Sequence, residues 1–437
     1  MACYSEALDV SRQLSSPRGA DVAIVDVQLE LGSVLHNCGD IERALDHYRD
    51  AEAEAAALGD PERVAWAVAA MSYAHTSVGQ HRTATELAHR ALAIPPGGAD
   101  EPALWIWVQH NLVRTAYATG DYQACVSVAR AALDPLAAYP PDEPPGPALL
   151  TPIIPSIGIR GLLALALSAL GQFNDALAEG AEAVRIAEKV NRSPELAWAN
   201  YCLGRAALEQ GNAEQAIEYL ERAFALTREW ELATRGPRTG PRLLADFTAA
   251  TLGLAHAATG RLASANSLVA AVTAANARQF CFVRLLDIQG SVLLAAQRFD
   301  EAASIATAAL EAARAQRERG HEAWALRLLG EVAGRRRPGS VDTALGFFDK
   351  AFALADRLQM RPLLARCRLE RAEVLYHAGR HDEAGQSLAL AIDGFRSMEM
   401  RAWLRRAEAL GEALDAGRQR ATAPGGHSTF LRENPRR

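Results

Sequence analysis

The chain has 437 residues, of which 49% are hydrophobic and 22% charged, and its formal net charge is −6. No stretch of about 18 apolar residues occurs, which excludes a transmembrane helix, and the acidic balance argues against a general nucleic-acid-binding protein. Aromatic residues are only 6% of the chain, and its alanine-rich apolar fraction favours close-packed helices over a β-sandwich or barrel.

The N-terminal residues show no basic segment followed by an apolar one, so we expect no secretory signal and a cytoplasmic protein. The cysteines form no Cys-x-x-Cys pair, which favours reduced thiols over disulfides or a metal site. They are Cys3, Cys38, Cys125, Cys202, Cys281 and Cys367.

An internal repeat organises the chain. Each unit has a small residue, a glycine seven positions later, an alanine five positions after that and a second alanine seven further on. Gly204, Gly211, Ala216 and Ala223 fit this pattern fully. The eight steps from the first glycine to the last average 42.5 residues. The nine positions are Gly39, Gly79, Gly120, Gly171, Gly211, Gly260, Gln297, Gly339 and Gly379.

The spacing predicts two antiparallel helices per unit, joined by a turn at the glycine, which adopts a left-handed backbone without steric cost. The small residue lets the two helices approach closely, and the two alanines share one face of the second helix. This is the logic of the tetratricopeptide repeat. We therefore predict an all-α protein, a right-handed tetratricopeptide-like α-solenoid of about nine helix pairs plus a C-terminal capping helix.

The first predicted domain, residues 1–133, holds repeats 1–3 after a partial N-terminal helix in YSEALDVSRQL. This segment is typical of the second helix of a pair, but no first helix precedes it. Because the end of a solenoid is normally a polar cap, we expect the chain to begin inside a larger architecture.

Residues 134–158 form a predicted Pro-rich insertion, whose eight prolines argue against a helix. Two alternatives remain open at this point. The insertion is either a flexible linker between two solenoid halves or an ordered loop across the groove, with Ile153, Ile154 and Ile157 to bury. Residues 159–417 are predicted to form repeats 4–9 and the capping helix, which begins near residue 398. We expect residues 418–437 to be a disordered tail.

The sequence contains none of the common catalytic or cofactor-binding motifs. It has no GxxxxGK[ST] phosphate loop, no GxGxxG, no HExxH and no nucleophile-elbow serine or cysteine. His377 and His381 are four residues apart but straddle the turn at Gly379, so they should not share a helical face. We therefore predict that the protein is not an enzyme and has no cofactor and no metal.

The inward faces of the first helix in each pair are the best candidates for binding, because these faces line the concave surface of such a solenoid. Arginine forks and tyrosine rings there suit acidic peptides, so we expect a protein or peptide partner, with an anionic small ligand as a further option, but neither nucleic acid nor membrane. The alternative is internal pairing, as between Arg327 and Glu331. The candidates are His110, Asn111, Arg114, Arg160, Tyr201, Arg205, Arg284, Asp287, Arg327, Glu331, Arg366, Glu373 and Tyr376.

The region from about residue 100 to 415 resembles the tetratricopeptide tail of large bacterial signalling proteins. The segments that carry this resemblance include RGLLALALSALGQFNDALAEGAEAVRIAE, WANYCLGRAALEQGNAEQAIEYLERAFALTREW and GHEAWALRLLGEV. In that family the tail follows a class III adenylate/guanylate cyclase domain and an AAA-type ATPase module. Related tails occur in maltose-regulator-like transcription factors that end in a LuxR-type helix-turn-helix.

Neither the cyclase, the ATPase nor the helix-turn-helix occurs in this sequence, so no catalytic or DNA-binding residue carries over. The resemblance implies a non-catalytic protein-interaction or signal-sensing scaffold of a bacterial signalling or regulatory system. The alternatives are a truncated fragment of a cyclase/AAA ATPase enzyme and the sensor domain of a LuxR-type regulator.

Overall fold

The computed structural model describes residues 18–95, 101–139, 153–233, 239–272, 282–336 and 341–422. Within these ranges the protein is all-α, with nineteen helices and no strand. The helices are α1 (Arg18–Asn37), α2 (Ile41–Leu58), α3 (Pro61–Ser77), α4 (His81–Ala93), α5 (Glu101–Thr119), α6 (Tyr122–Leu136), α7 (Pro155–Leu170), α8 (Phe173–Val190), α9 (Ser193–Gln210), α10 (Ala213–Ala233), α11 (Thr239–Ala258), α12 (Leu262–Ala270), α13 (Phe282–Ala295), α14 (Phe299–Gln316), α15 (Arg319–Arg336), α16 (Val341–Arg357), α17 (Arg361–His377), α18 (His381–Ser397) and α19 (Arg401–Thr422).

The predicted solenoid is confirmed. Helices α1–α18 form nine successive pairs, and α19 packs against the last of them as the capping helix. We call the odd-numbered helices A helices and the even-numbered ones B helices. The A helices pack against the A helices of neighbouring pairs, whereas the B helices pack chiefly against the helices before and after them in the chain.

The turns inside the pairs have the predicted backbone. Gly39 and Gly211, for example, have φ values of 85° and 103°, which favour glycine. Gln297 takes the same left-handed conformation with φ 60°, so the one turn without glycine keeps its geometry at some local strain. Gly339 lies outside the described residues.

Small residues let the helices of each pair approach closely. A Cβ atom on Gly204 would lie 2.8 Å from Leu220 Cγ, and Ala216 and Ala223 on the partner helix are fully buried. The resulting core is a continuous layer between the A and B helices, with its largest cluster running from α5 to α17.

The ends of the predicted insertion are helical, which corrects the expectation that its prolines exclude a helix. Helix α6 continues through Pro135 to Leu136, and α7 begins at Pro155. Pro155 is tolerated because the first residue of a helix has no intrahelical partner for its N–H group. Ile154 and Ile157 are buried against α8 and α9 as the N-cap and first turn of α7, so this end of the insertion belongs to that helix and tests neither alternative. Residues 140–152 lie outside the described residues.

Helix α19 runs to Thr422, beyond the predicted end at residue 417, so the first part of the expected tail is helical. The rest of that tail and the partial N-terminal helix lie outside the described ranges. The division into domains stays a prediction. No helix in the described part of the chain is long and apolar enough to span a membrane.

Candidate functional site

The superhelix closes on itself after five helix pairs. Helix α5 of the third pair contacts α15 of the eighth, and α7 of the fourth contacts α17 of the ninth. The A helices lie on the inner side of this tight turn, so their inward side chains meet near the superhelix axis. All thirteen candidate residues lie on A helices, as predicted.

Most of these candidates are buried, which differs from the expectation of an open groove lined with arginines. Arg205, Arg284 and Arg327 are 6%, 4% and 1% exposed. These side chains are buried because the superhelix is tightly wound, so that the inward faces of successive A helices pack against each other. A buried guanidinium needs a hydrogen-bonded anion to offset its lost hydration, and the chain supplies these anions itself.

The first half of this arrangement joins α9 to α13. Arg205 donates hydrogen bonds to Glu209 on its own helix at 3.2 Å, and Arg284 reaches the same carboxylate at 3.3 Å. Arg284 also donates to Asp287. Glu209 therefore bridges two arginines that are 79 residues apart in the chain.

The second half joins α15 to α17. Arg327 donates to Glu331 at 2.9 Å and to Glu370 at 2.6 Å, and Ser291 lies 3.3 Å from the same guanidinium. Arg366 pairs with Glu370 at 3.8 Å. We call these four arginines and four carboxylates the axial ladder; its members are Arg205, Glu209, Arg284, Asp287, Arg327, Glu331, Arg366 and Glu370. The predicted internal pairing of Arg327 with Glu331 is confirmed.

Two tryptophans stack on the ladder. The Trp324 ring lies 4.3 Å from the Arg284 guanidinium and 4.9 Å from that of Arg366. Trp403 on the capping helix lies 4.4 Å from Arg366 and 5.6 Å from Arg406. Such cation–π contacts hold the guanidinium planes in place.

The ladder reaches solvent at the capping helix. Arg406 donates two hydrogen bonds to Glu373, at 2.8 and 2.9 Å, and its side chain is 39% exposed. We call the ladder residue Arg366, together with its neighbours Trp403 and Arg406 at the surface, the outer end of the ladder. Tyr376 lies beyond it, with its ring 5.4 Å from that of His377 and 5.5 Å from that of His381.

The two carboxylates that share Arg327 have opposite electrostatics. Burial alone would raise the pKa of Glu331, but the charges of Arg327 and Arg335 outweigh it and hold that pKa below its ordinary value. For Glu370 burial is the larger effect, and it raises the pKa to about 7 in spite of Arg327. Of these two carboxylates, Glu370 is therefore the one that loses its charge more readily.

The remaining candidates take no part in the ion pairs of the ladder. Arg160 pairs with Glu179 within its own repeat, at 2.5 Å. His110 and Asn111 are buried, and burial together with the charge of Arg114 lowers the pKa of His110 to about 3, so its imidazole is neutral.

The Arg114 guanidinium lies over the ring of Tyr73 at 4.3 Å. Tyr201 is buried beside Arg205, where burial raises its pKa. These residues line the same axis without joining the chain of ion pairs.

Several residues of the ladder and of its outer end were not among the sequence candidates. Glu209 and Glu370 stand four positions after Arg205 and Arg366, so the i,i+4 spacing could have identified them. Arg406 and Trp403 carried no such signal, because their roles depend on how the capping helix packs.

The ladder is incompletely satisfied. Asp287 Oδ1, Glu370 Oε2 and the Nε atoms of Arg284, Arg327 and Arg366 have no hydrogen-bond partner among the described residues. Buried polar atoms of this kind are rare and call for an explanation. The site offers guanidinium groups for carboxylates or other oxyanions. No group of three His, Cys, Asp or Glu residues in the described ranges could hold a metal ion.

Comparisons with known proteins agree with the fold. The family profile for the tetratricopeptide repeat matches residues 157–229. The Rap conjugation gene regulator of plasmid pLS20, solved in complex with the Phr* peptide, is 12% identical with a TM-score of 0.50. The match covers 82% of this chain and 98% of that one. No curated protein sequence matches.

Two further solved structures match less closely. A Rap protein complexed with competence and sporulation factor is 13% identical, covers 80% of this chain and 99% of its own, and has a TM-score of 0.44. Aspartyl phosphate phosphatase F from Bacillus subtilis is 12% identical, covers 75% and 82%, and has a TM-score of 0.36. The predicted tetratricopeptide resemblance is thus confirmed for residues 157–229, whereas the cyclase and ATPase context stays a prediction.

Proposed function

We propose that the protein is a non-catalytic, cytoplasmic protein-interaction scaffold of a bacterial signalling or regulatory system. Its partner is a protein or peptide whose acidic side chains pair with arginines of the axial ladder. The observation that carries this proposal is the ladder itself, a set of buried guanidinium groups whose hydrogen bonds are incomplete. The solved regulator that shares the fold is itself described in complex with a peptide.

The ladder limits how such a partner can bind. Its four arginines face four carboxylates of the same chain, so a small anion meets little excess positive charge. A partner must bring carboxylates that displace the chain's own. Glu370 is easier to displace than Glu331, because burial raises the pKa of Glu370 to about 7 and so favours its neutral form. An anionic small ligand therefore has less support than a peptide, which adds contacts along the axis.

Affinity capture from a lysate of the source organism, followed by mass spectrometry, identifies the partner, and calorimetric titration measures its affinity. Arg205 and Arg327 are unsuitable for substitution, because the removal of either deprives buried carboxylates of a hydrogen-bonded partner and so destabilises the fold. Arg406→Ala is the better test because this side chain is 39% exposed. We expect binding to weaken by about tenfold, or about 1.4 kcal/mol.

Arg185→Ala is the matched control. Arg185 is an exposed helical arginine that pairs with Glu182 on α8, remote from the axis. It should leave the affinity unchanged. Equal affinities for the two variants, or binding that is insensitive to salt, would contradict the proposal. Turnover of ATP or GTP by the chain would contradict its non-catalytic part.

A further inference from the structure

The superhelix closes along a line of contacts between residues far apart in the chain. Turns within pairs 2–5 meet either the start of an A helix or the end of a B helix five pairs later, with the capping helix counted as the tenth A helix. We call this line the seam. Its four contacts are Gly79 with Gln316, Gly120 with Gly320, Gly171 with Met398 and Gly211 with Trp403.

Two backbones meet directly at the centre of the seam. A Cβ atom on Gly120 would lie 2.5 Å from the backbone nitrogen of Gly320, and one on Gly320 would collide with the Tyr122 hydroxyl. The side-chain amides of Gln123 and Gln359 are hydrogen-bonded nearby at 2.8 Å. The centre of the seam therefore depends on the absence of side chains, whereas apolar side chains meet farther along it, where Phe173 packs in one cluster with Met398 and Met400.

A buried charged cluster lies beside this point. Glu318, which is fully buried, accepts hydrogen bonds from His81 Nε2 at 3.0 Å and from His321 Nδ1 at 2.7 Å. Burying such a cluster costs much of the hydration energy of its charge, which offsets part of what its hydrogen bonds contribute to closure. The interfaces between neighbouring pairs, which carry most of the stability of a solenoid, lie elsewhere.

The seam is linked to the outer end of the ladder through Trp403. A Cβ atom on Gly211 would lie 2.9 Å from the Trp403 ring, and the same ring stacks on Arg366 at 4.4 Å. Separation of the seam at Gly211 would uncover this ring and, beneath it, the Arg366 guanidinium. Small rotations at successive interfaces between pairs are enough for such a movement.

We propose that the seam opens reversibly while the helix pairs stay intact, and that its opening exposes Arg366 and Trp403, beside the already exposed Arg406, to an acidic peptide partner. The exposure to an acidic partner rests on the proposed function. The opening of the seam does not, because it concerns the protein alone. Two separate experiments therefore test the opening and the exposure.

The first experiment measures distances across the seam by pulsed electron paramagnetic resonance. Spin labels at Gln123→Cys and Gln359→Cys report the seam. Labels at Arg130→Cys and Asp175→Cys are the control, because these two side chains lie 3.6 Å apart in neighbouring repeats of one layer. Cys38, which is exposed, is replaced by Ser in both the seam-labelled and the control variant so that it does not take up the spin label. Cys3 and Cys281 are replaced in the same way. We expect a second, longer distance for the seam pair only, with a population on the order of a tenth or less.

Gly320→Ala shifts this equilibrium. Alanine suits a helix better than glycine, so the variant should lose the seam contact without losing the helix. Gly346→Ala is the matched control, since nothing lies within 4 Å of its Cβ position. We expect the long distance to dominate in Gly320→Ala and to stay a minority in Gly346→Ala. Glu318→Gln serves as a second perturbation if circular dichroism shows that Gly320→Ala is not folded. A single short distance in all folded variants would overturn the proposal.

The second experiment locks the seam in the unlabelled chain that carries Gln123→Cys and Gln359→Cys, with a short bis-maleimide joining the two introduced thiols. A fluorescein-labelled polyglutamate peptide is the probe, and its fluorescence anisotropy reports binding. We expect the locked chain to bind at least about tenfold more weakly than the unlocked chain, a difference of about 1.4 kcal/mol. Equal binding would overturn the exposure of the ladder. Absence of binding to either chain would overturn both the acidic partner and that exposure, whereas the distance measurement decides seam opening independently.

Discussion

Glu370 is expected to make the protein less stable as the pH rises through neutrality. Its carboxyl group is buried at 2% exposure beside Arg327 and Arg366, and burial raises its pKa to about 7 from an ordinary value of 4.5. The folded state therefore holds this proton more tightly than the unfolded state does. The stabilisation from the bound proton is complete below pH 4.5 and is lost as the pH rises through about 7. Glu370→Gln removes the titrating group and keeps its shape.

The difference between the two pKa values sets the size of the effect. A shift from 4.5 to about 7 corresponds to about 3 kcal/mol over the whole titration. About 1 kcal/mol of this falls between pH 6 and pH 8, where most other side chains except histidine keep their charge. Comparison of wild type with Glu370→Gln cancels the histidine contribution, since both chains contain the same histidines.

Urea unfolding followed by far-UV circular dichroism at these two pH values measures the difference. Wild type should lose about 1 kcal/mol more than Glu370→Gln on going from the lower to the higher pH. Glu331→Gln is the control, since Glu331 shares Arg327 but has a lowered pKa. Removal of its negative charge should move the loss to lower pH without abolishing it. If Glu370→Gln and wild type lose the same stability, the carboxyl group is ionised throughout this range and the reasoning is wrong.

Three other predictions concern packing and thiol reactivity. Gly32→Ala should cost about 1–3 kcal/mol in unfolding free energy, because its Cβ atom would lie 2.5 Å from the Tyr48 ring. Gly346→Ala should instead stabilise the protein by up to about 1 kcal/mol in the same urea titration, since its Cβ atom meets nothing and alanine favours the helix. Alkylation of the native protein followed by mass spectrometry should modify the exposed Cys38 and spare the buried thiols, whose pKa values are raised by burial; modification at equal rates would contradict this. The protected residues are Cys125, Cys202 and Cys367.

The fold was predictable because its rules are local. A glycine at the turn, a small residue seven positions before it and two alanines after it define one helix pair, and each pair contacts mainly its neighbours. The helix pairs and the capping helix follow from this spacing. Trp66, Trp107, Trp198 and Trp324 stand at equivalent positions of their repeats, which indicates a packing role; three of them are buried, and Trp198 is half-buried against the core.

The closure of the superhelix was not predictable in this way. Closure results from small rotations between successive helix pairs that add up along the chain, and no local sequence pattern predicts their total. Gly120 and Gly320, for example, are 200 residues apart, and nothing in either segment indicates that they meet. For the same reason the inward position of Arg205 and Arg327 could be predicted, whereas their burial could not.

The axial ladder is a costly way to fill the centre of a solenoid. Replacing a buried ion pair by apolar side chains of similar volume is often neutral or stabilising, by about 1–4 kcal/mol. A superhelix that required only stability would be served as well by leucine and methionine at Arg284, Asp287, Arg327 and Glu370. Ion pairs differ from apolar contacts in one respect that matters for binding, because a carboxylate from a partner can replace a carboxylate of the chain on the same guanidinium. The buried ladder, its raised carboxyl pKa and a seam that rests on two glycines are therefore consistent with a solenoid that opens to exchange one set of anions for another.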